Sequence, residues 1–369
     1  MKTAYHLRLF DLLEQAQGWP PSDRRRLAEA ACAGGPVSAQ ELLAALDRVE
    51  QLSGFLESPA WSTETAPDPE SATRSWIGRE IGPYRILAML GSGGMGQVFL
   101  AEQQEPRRQV ALKLIRSESI SDSAAERFRA EQRALARLNH PHVAQFIEAG
   151  VSQEGRPFFA MELVEGQPID AYLEDEIPAF EERLALFLQV CAAVHHAHQK
   201  QIVHRDLKPS NVLVRPVDGR AVVKVIDFGI AEALDRPIAG AGVDDSGGVY
   251  GTPEFLSPES FDGDVDTRAD IYALGALLYQ LVCGISPFRR GQGTPADLVE
   301  RIRRGEKEAA SVAAARVNLP WAARIRGDLE AIIVRAMHPQ RDRRYGSVVD
   351  LVADVRLFLG SRPVSVLEP

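Results

Sequence analysis

The stretch His204–Gly229, HRDLKPSNVLVRPVDGRAVVKVIDFG, constrains this 369-residue chain more than any other. Asp206 and Asp227 stand on either side of a short apolar hairpin, and Lys208 and Asn211 lie between them. Phosphoryl transfer asks a protein to position a nucleophile, neutralise phosphate charge and hold metal ions, with little covalent chemistry of its own. Two acids, a cation and an amide at this spacing can supply all three.

The length suffices for two or three compact units. With 45% hydrophobic and 25% charged residues the chain can bury a sizeable core. Its net charge of -9 argues against a nucleic-acid binder dominated by phosphate contacts. Cys32, Cys191 and Cys283 are far apart and form no C-x-x-C pair, so they read as reduced thiols of a cytoplasmic protein. The N-terminus, MKTAYHLRLFDLLEQ, has charges inside its apolar run, unlike a signal peptide. The longest apolar stretch, Ile271–Ile285, is too short to span a membrane and contains Gln280, so it reads as a buried core helix.

At the N-terminus, Leu7, Leu9, Phe10, Leu12 and Leu13 recur at roughly helical spacing. After Gly18, Pro20 and Pro21, Ser22 is placed to cap a second helix running to Cys32. Ser38 with Glu41 forms a capping-box pattern ahead of an apolar stripe at Leu42, Leu43, Leu46, Val49 and Leu52. Residues 1–56 therefore read as a small helical segment: a plain appendage on the blander reading, a partner-binding or autoregulatory module on the other. Pro, Ser, Thr and acids dominate residues 57–76, which read as a flexible linker.

Tyr84–Leu90 predicts a strand, followed by Gly91, Gly93, Gly94 and Gly96 in GSGGMGQV. A lone G-x-G-x-x-G is weak evidence, and a dinucleotide fingerprint needs a helix straight after it. Here Gln97–Ala101 reads as a second strand, so the glycines sit at a hairpin tip. Val110–Ile115 predicts a third strand and carries Lys113, which is costly inside an apolar strand unless paired. A single such lysine is about as often solvent-facing. A predicted helix over 124–138 puts Glu131 on one face with Phe128 and Leu135, able to turn toward Lys113. Asn139-His140-Pro141 ends it, and strands are predicted over 143–150 and 157–161 around a Glu154-Gly155 turn. Phe180–Lys200 predicts a long helix bearing His195, His196 and His198; His195 and His198 share a face, but with no carboxylate or cysteine beside them in sequence they read as structural. Further helices are predicted over 298–304, 328–337 and 347–359.

H-R-D-L-K-P-S-N followed by D-F-G resembles the catalytic loop and metal-binding motif of eukaryotic-type protein kinases, in particular bacterial Hanks-type Ser/Thr kinases. The resemblance covers about 77–360. It implies an α+β, two-lobed protein-kinase fold: a small β-rich lobe (77–161), a hinge (162–166) and a large, mainly helical lobe (167–360), preceded by the N-terminal helices and followed by a tail (361–369). It implies ATP and Mg²⁺, with Mn²⁺ as an alternative ion. Asp206 would orient the substrate hydroxyl and Lys208 would stabilise the transferring phosphoryl. Asn211 and Asp227 would hold the metal, and Lys113 with Glu131 would orient the phosphates. Leu90, Gly91, Ser92, Gly93, Gly94, Met95, Gly96, Val98 and Ala111 would surround the nucleotide. Met161 would be the gatekeeper, and the backbone of Glu162 and Val164 would meet the adenine edge. Lys208 in this context favours Ser and Thr hydroxyls in protein substrates.

GTPEFLSPE resembles the end of a kinase activation segment, with Ser257-Pro-Glu259 in place of A-P-E. Glu259 would pair with Arg344, or with Arg343 as the near alternative. Thr252 would bond near Asp206 and Lys208, and Asp270 would hold the catalytic-loop backbone. Arg205 resembles the arginine that pairs with a phosphorylated loop residue, yet the usual position of that residue is Gly248. Ser246 is the candidate phosphosite, with Tyr250 and Thr252 as other acceptors and Asp244 and Asp245 as substitutes for phosphate. Related bacterial kinases often continue into a membrane span and sensor region, which the chain to Pro369 lacks. Two other readings stay open: a pseudokinase scaffold that binds nucleotide and partner proteins, and a small-molecule kinase, which generally lacks a GTPEF…SPE segment.

Overall fold

In the computed structural model, the residues described are 23–32, 38–40, 42–43, 76–93, 96–115, 132–228, 253–288 and 294–367. The chain divides into two compact units at 119/120, 146/147 and 167/168.

The smaller unit is built on six strands: β1 (Glu80–Ile81), β2 (Tyr84–Gly93), β3 (Gly96–Gln103), β4 (Arg108–Ile115), β5 (Phe146–Val151) and β6 (Pro157–Glu162). They lie in the order β1-β2-β3-β4-β6-β5. Alternation decides which side chains face which way. Phe99 and Ala101 of β3 and Val110, Leu112 and Leu114 of β4 enter one core with Tyr84, Ile86 and Phe158. Register shifts in β2 at Ile86/Ala88 and Met89/Gly91 break the phase of that strand. An extra residue in one strand re-aims the side chains beyond it. Ala88 and Leu90 therefore join Leu100, Val98, Ala111 and Leu163 in a second apolar group, although Tyr84 and Ile86 have the same parity. Gly96 opposes Ile115, and a Cβ on it would run into the Leu114 carbonyl oxygen. That close approach of two backbones requires a glycine. In the same unit, Trp76 is flanked by the guanidinium groups of Arg79 and Arg156 at 5.4 and 5.3 Å.

N-terminal to the sheet, helix α1 (Arg24–Cys32) buries Ala28 and Cys32. The Leu42 amide donates to the Ser38 carbonyl, as the predicted helix start at Ser38 requires.

In the larger unit, β7 (Gln167–Pro168) leads into α2 (Ile169–Asp175) and α3 (Phe180–Gln199). A hairpin of β8 (Val212–Val217) and β9 (Arg220–Val225) comes next, then α4 (Thr267–Cys283), α5 (Pro295–Arg304), α6 (Ala310–Arg316), α7 (Ala322–Ile325), α8 (Asp328–Ala336) and α9 (Val348–Leu359). The apolar stretch of the sequence is α4, buried along nearly its whole length. Asp266 caps its N-terminus and left-handed Gly284 ends it. Gly275 lets α8 close in: a Cβ there would sit 2.8 Å from Ala336 and Met337 side-chain atoms. α5 begins at Pro295, earlier than its apolar pattern predicts, because Thr294 and Asp297 form a reciprocal capping box. Residues 132–146, expected with the small lobe, group with the larger unit. The physical reason is a parallel bridge, Val143 to Val225, with the Ala144 amide donating to the Val225 carbonyl at 2.9 Å. Val364 is buried, and both the amide and hydroxyl of Ser365 donate to Asp354 at 2.8 and 3.1 Å.

No described helix is long and apolar enough to cross a membrane.

Candidate active site

The hairpin brings the two acids of the opening stretch into one unit. Asp218 and Gly219 at its tip both have positive φ, 49° and 74°, the geometry a tight turn between twisted strands demands. β9 runs on to Ile226 and Asp227. The Ile226 amide donates to the Asn211 carbonyl at 3.0 Å, tying the end of β9 to the segment that carries Asp206 and Lys208.

Asp270, at the N-terminal end of α4, organises this segment. Its Oδ2 accepts the His204 amide at 2.8 Å and its Oδ1 accepts the Arg205 amide at 2.9 Å. His198 of α3 contacts the same Oδ2 through Nε2 at 2.7 Å. Burial alone would raise this carboxyl's pKa, but the His198 hydrogen bond and the neighbouring histidines outweigh it and hold the pKa below the usual carboxylate range. The loop is thus bent around a fixed anion, and Arg205 takes φ +67°. Asp227 takes φ +62°. Such conformations cost a non-glycine residue energy and persist where the surroundings over-determine them.

His204 is wholly enclosed, and burial depresses its basicity. Its Nε2 lies 3.0 Å from the Ile226 carbonyl and its Nδ1 accepts the Asp206 amide at 3.3 Å. A carbonyl only accepts, so the proton sits on Nε2 and the ring is neutral. It also packs on Phe228, 4.5 Å between centroids. This imidazole therefore bridges the two acidic segments.

Within the loop, Lys208 Nζ meets Asp206 Oδ2 at 2.9 Å. Asn211 Nδ2 donates to the Asp206 carbonyl at 2.7 Å and to its Oδ2 at 3.2 Å. Because the amide nitrogen is committed there, the amide oxygen of Asn211 is directed away, a hard donor suited to a divalent cation. The donor set fits such an ion only with further oxygens, as phosphates would supply: among the described residues no group of three or more His, Cys, Asp or Glu side chains could hold a metal alone.

Glu259 and Arg344 form a bidentate pair, at 2.6 and 2.7 Å, with the guanidinium fully enclosed. Arg344 also donates to the carbonyls of His338, Arg268 and Pro339 and lies 5.0 Å over the Tyr272 ring. Of the two expected arginines it is Arg344 that pairs.

In the smaller unit, Lys113 is buried on β4, opposite Val98 of β3 and Phe159 of β6. Met161 and Val164 are buried, and Ala111 is the register partner of Met161. Leu90, Val98 and Ala111 share one apolar face, with Gly91 and Ser92 continuing β2 toward the turn. Glu131, Gly94, Met95, Ser246 and Thr252 lie outside the described residues.

His198, read as structural, has a carboxylate beside it in the fold, Asp270. Asp270 is 72 residues away in sequence, so local spacing could not show the pair. Sequence reasoning also misses His204, Gln189 and His142. The only signal for His204 is its place beside Arg205 and Asp206. Gln189 and His142 bond to the backbone of β9 at Ala221 and Val223, contacts that leave no signal in the sequence.

Fold and site together define a class: a β-rich unit and a helical unit, with acid, ammonium and amide groups arranged for phosphate chemistry. A family model described as protein kinase domain matches residues 84–354. The chain is 41% identical over 221 residues to the serine/threonine-protein kinase pkn3 of Myxococcus xanthus, covering 58% of this chain and 40% of that protein. It is 34% identical over 284 residues to PrkC of Bacillus subtilis, covering 76% and 41%. PknB of Mycobacterium tuberculosis is 33% identical over 290 residues, covering 76% and 44%. The solved PknI kinase domain from M. tuberculosis matches with a TM-score of 0.57 at 26% identity, over 77% of this chain and 98% of that one. The chain belongs to the protein kinase family. Its matches span about two-fifths of the length of these curated relatives.

Proposed function

We propose that this chain is an ATP-dependent serine/threonine protein kinase acting in bacterial signalling, with autophosphorylation as one outcome. The observation that carries the proposal is the Asp206–Lys208–Asn211 set, bonded together within one loop whose backbone is held by Asp270. The three curated relatives, all called serine/threonine-protein kinases, support it.

In this reading Asp206 accepts a hydrogen bond from the substrate hydroxyl and fixes its oxygen for in-line attack. Carboxylates are weak bases by their reference value, so this one serves by position more than by proton affinity. The bond from that oxygen to the γ-phosphorus forms as the bond from γ-phosphorus to the bridging oxygen breaks. ADP leaves, and the hydroxyl proton passes to Asp206 and on to solvent. Lys208 lies beside Asp206, where its charge offsets the charge gathering on the transferred group. Asn211 through its amide oxygen and Asp227 through its carboxylate hold a divalent cation, Mg²⁺ with Mn²⁺ as an alternative. When bound, that ion neutralises phosphate charge.

Lys113 orients the phosphates, with Glu131 as its partner. Leu90, Val98 and Ala111 offer an apolar face to the adenine, and the backbone of Glu162 and Val164 beside Met161 meets its polar edge. The glycine-rich stretch 91–96 would meet the phosphates. Arg205, Ser246 and Thr252 would form the regulatory part. The substrates are Ser/Thr-bearing proteins, the N-terminal helices dock a regulatory partner, and the site of action is cytoplasmic.

The test is transfer of label from γ-labelled ATP with Mg²⁺ to a generic protein substrate, beside Asp206→Asn, followed by acid hydrolysis. The expected result is phosphoserine and phosphothreonine, reduced roughly 10²–10⁴-fold in the variant. Label no greater than in the variant sinks the proposal.

A further inference from the structure

Strand β9 carries the chain into Asp227, and its outer edge, away from β8, is closed by groups that are not strands. Five successive backbone groups on that edge are satisfied. The Ala221 carbonyl accepts from Gln189 Nε2 at 3.1 Å, and the Val223 amide donates to Gln189 Oε1 at 2.9 Å. The Val223 carbonyl lies 3.0 Å from His142 Nδ1. The Val225 amide donates to the His142 carbonyl at 2.8 Å, and the Val225 carbonyl accepts the Ala144 amide. A carbonyl only accepts, so His142 donates from Nδ1.

One glutamine of α3 thus takes both a carbonyl and an amide two residues apart, as a neighbouring strand would. His142 takes the next carbonyl. The other side of β9 is paired with β8 from Arg220 to Val225. Sliding β9 along its axis would break the Gln189 and His142 bonds together. Asp227 lies two residues beyond Val225, in a left-handed conformation, so a shift of the strand moves the backbone that carries its carboxylate.

We propose that Gln189 and His142 are positioning residues for Asp227: together they fix the register of β9 and hence the divalent-metal affinity of the site. This rests on the reading of Asp227 as a metal carboxylate. Neither side chain touches nucleotide or metal in that reading. Outer partners of metal ligands typically change affinity by 10–100-fold when removed.

The test measures how Mg²⁺ tightens ATP binding, by calorimetry on the full chain with and without Mg²⁺. For Gln189→Leu and His142→Leu the Mg²⁺ concentration giving half the tightening is expected to rise about 10-fold, with ATP affinity in EDTA unchanged. His142→Asn, whose amide can still donate to the Val223 carbonyl, is expected to restore the wild-type Mg²⁺ dependence. A purely structural role would lower thermal stability in all variants and leave the Mg²⁺ midpoint where it was; that result overturns the inference. If the leucine variants do not fold, His142→Asn and Gln189→Glu carry the test. The glutamate keeps the acceptor for Val223 but sets an oxygen against the Ala221 carbonyl, so equal Mg²⁺ midpoints for these two variants overturn it as well. Wild-type protein that binds ATP with no Mg²⁺ dependence overturns the reading of Asp227, and the inference falls with it. A shift in Mg²⁺ midpoint without any protein phosphorylation supports the inference and counts against the proposed function alone.

Discussion

The two units hold their candidate site residues by different means. In the larger unit each group is fixed by a side chain acting on backbone: Asp270 on the His204 and Arg205 amides, His204 on Ile226 and Asp206, Asn211 on the Asp206 carbonyl. In the smaller unit the means are register and apolar surface: a phase break in β2, a close approach at Gly96, and one lysine in a buried strand. A site held by side-chain hydrogen bonds is preorganised without ligand. Strand edges and an apolar face offer shape without such bonds.

The largest effect should separate the units most sharply. Asp270→Ala strips the acceptor from the buried His204 amide and the half-buried Arg205 amide and leaves His198 without its carboxylate. The expected cost to the larger unit is about 3–5 kcal/mol in denaturant unfolding, with phosphoryl transfer lost. A smaller loss with activity retained would mean that the loop holds its shape without the anion. Lys113→Met in the smaller unit should do the reverse. Transfer is expected to fall roughly 10²–10³-fold, while the unfolding midpoint stays near that of the wild type; equal losses of activity and stability would erase the contrast. Gly96→Ala is next in size, at about 1–3 kcal/mol, from the clash with the Leu114 carbonyl. It should appear as unfolding of the smaller unit alone, and a variant as stable as wild type would refute the close approach.

The smallest effect is that of pH. His140, His196 and His204 are all depressed below the usual imidazole value of 6.5, chiefly by burial, with cationic neighbours adding to it at His140 and His196. The unfolded chain therefore takes up protons first as pH falls through 6.5, and the folded state loses stability below that value. Asp270 works in the carboxylate range: its depressed pKa contributes stability above the unfolded value of 3.8, lost as pH falls through the folded value. No histidine occurs among the described residues of the smaller unit. Thermal scans should show the larger unit weakening below pH 6.5 and the smaller one unmoved. A parallel decline in both would count against burial of these imidazoles as the cause.

The same contrast explains what can be read from the sequence. The Asp206–Asn211 segment and the hairpin to Asp227 are legible because their chemistry is carried by side chains at fixed spacing. The Glu259–Arg344 pair is legible to within one residue, because two arginines adjoin and only three-dimensional enclosure distinguishes them. His198 keeps its structural reading, but its partner Asp270 comes from another helix and cannot be read from local spacing. The bulges of β2 cannot be foreseen: they depend on how β3 pairs with it, and no residue type marks them. Helix ends obey their caps, which move the start of α5 to Pro295.

Amide hydrogen exchange on ligand-free protein tests the contrast most directly. The amides of His204 and Arg205 should be as protected as those of α4 and change little when ATP and Mg²⁺ are added. Those of Gly91 and Ser92 should exchange quickly until the nucleotide binds. If His204 and Arg205 exchange like free peptide until ATP and Mg²⁺ arrive, the larger unit's site is not preformed and the account fails.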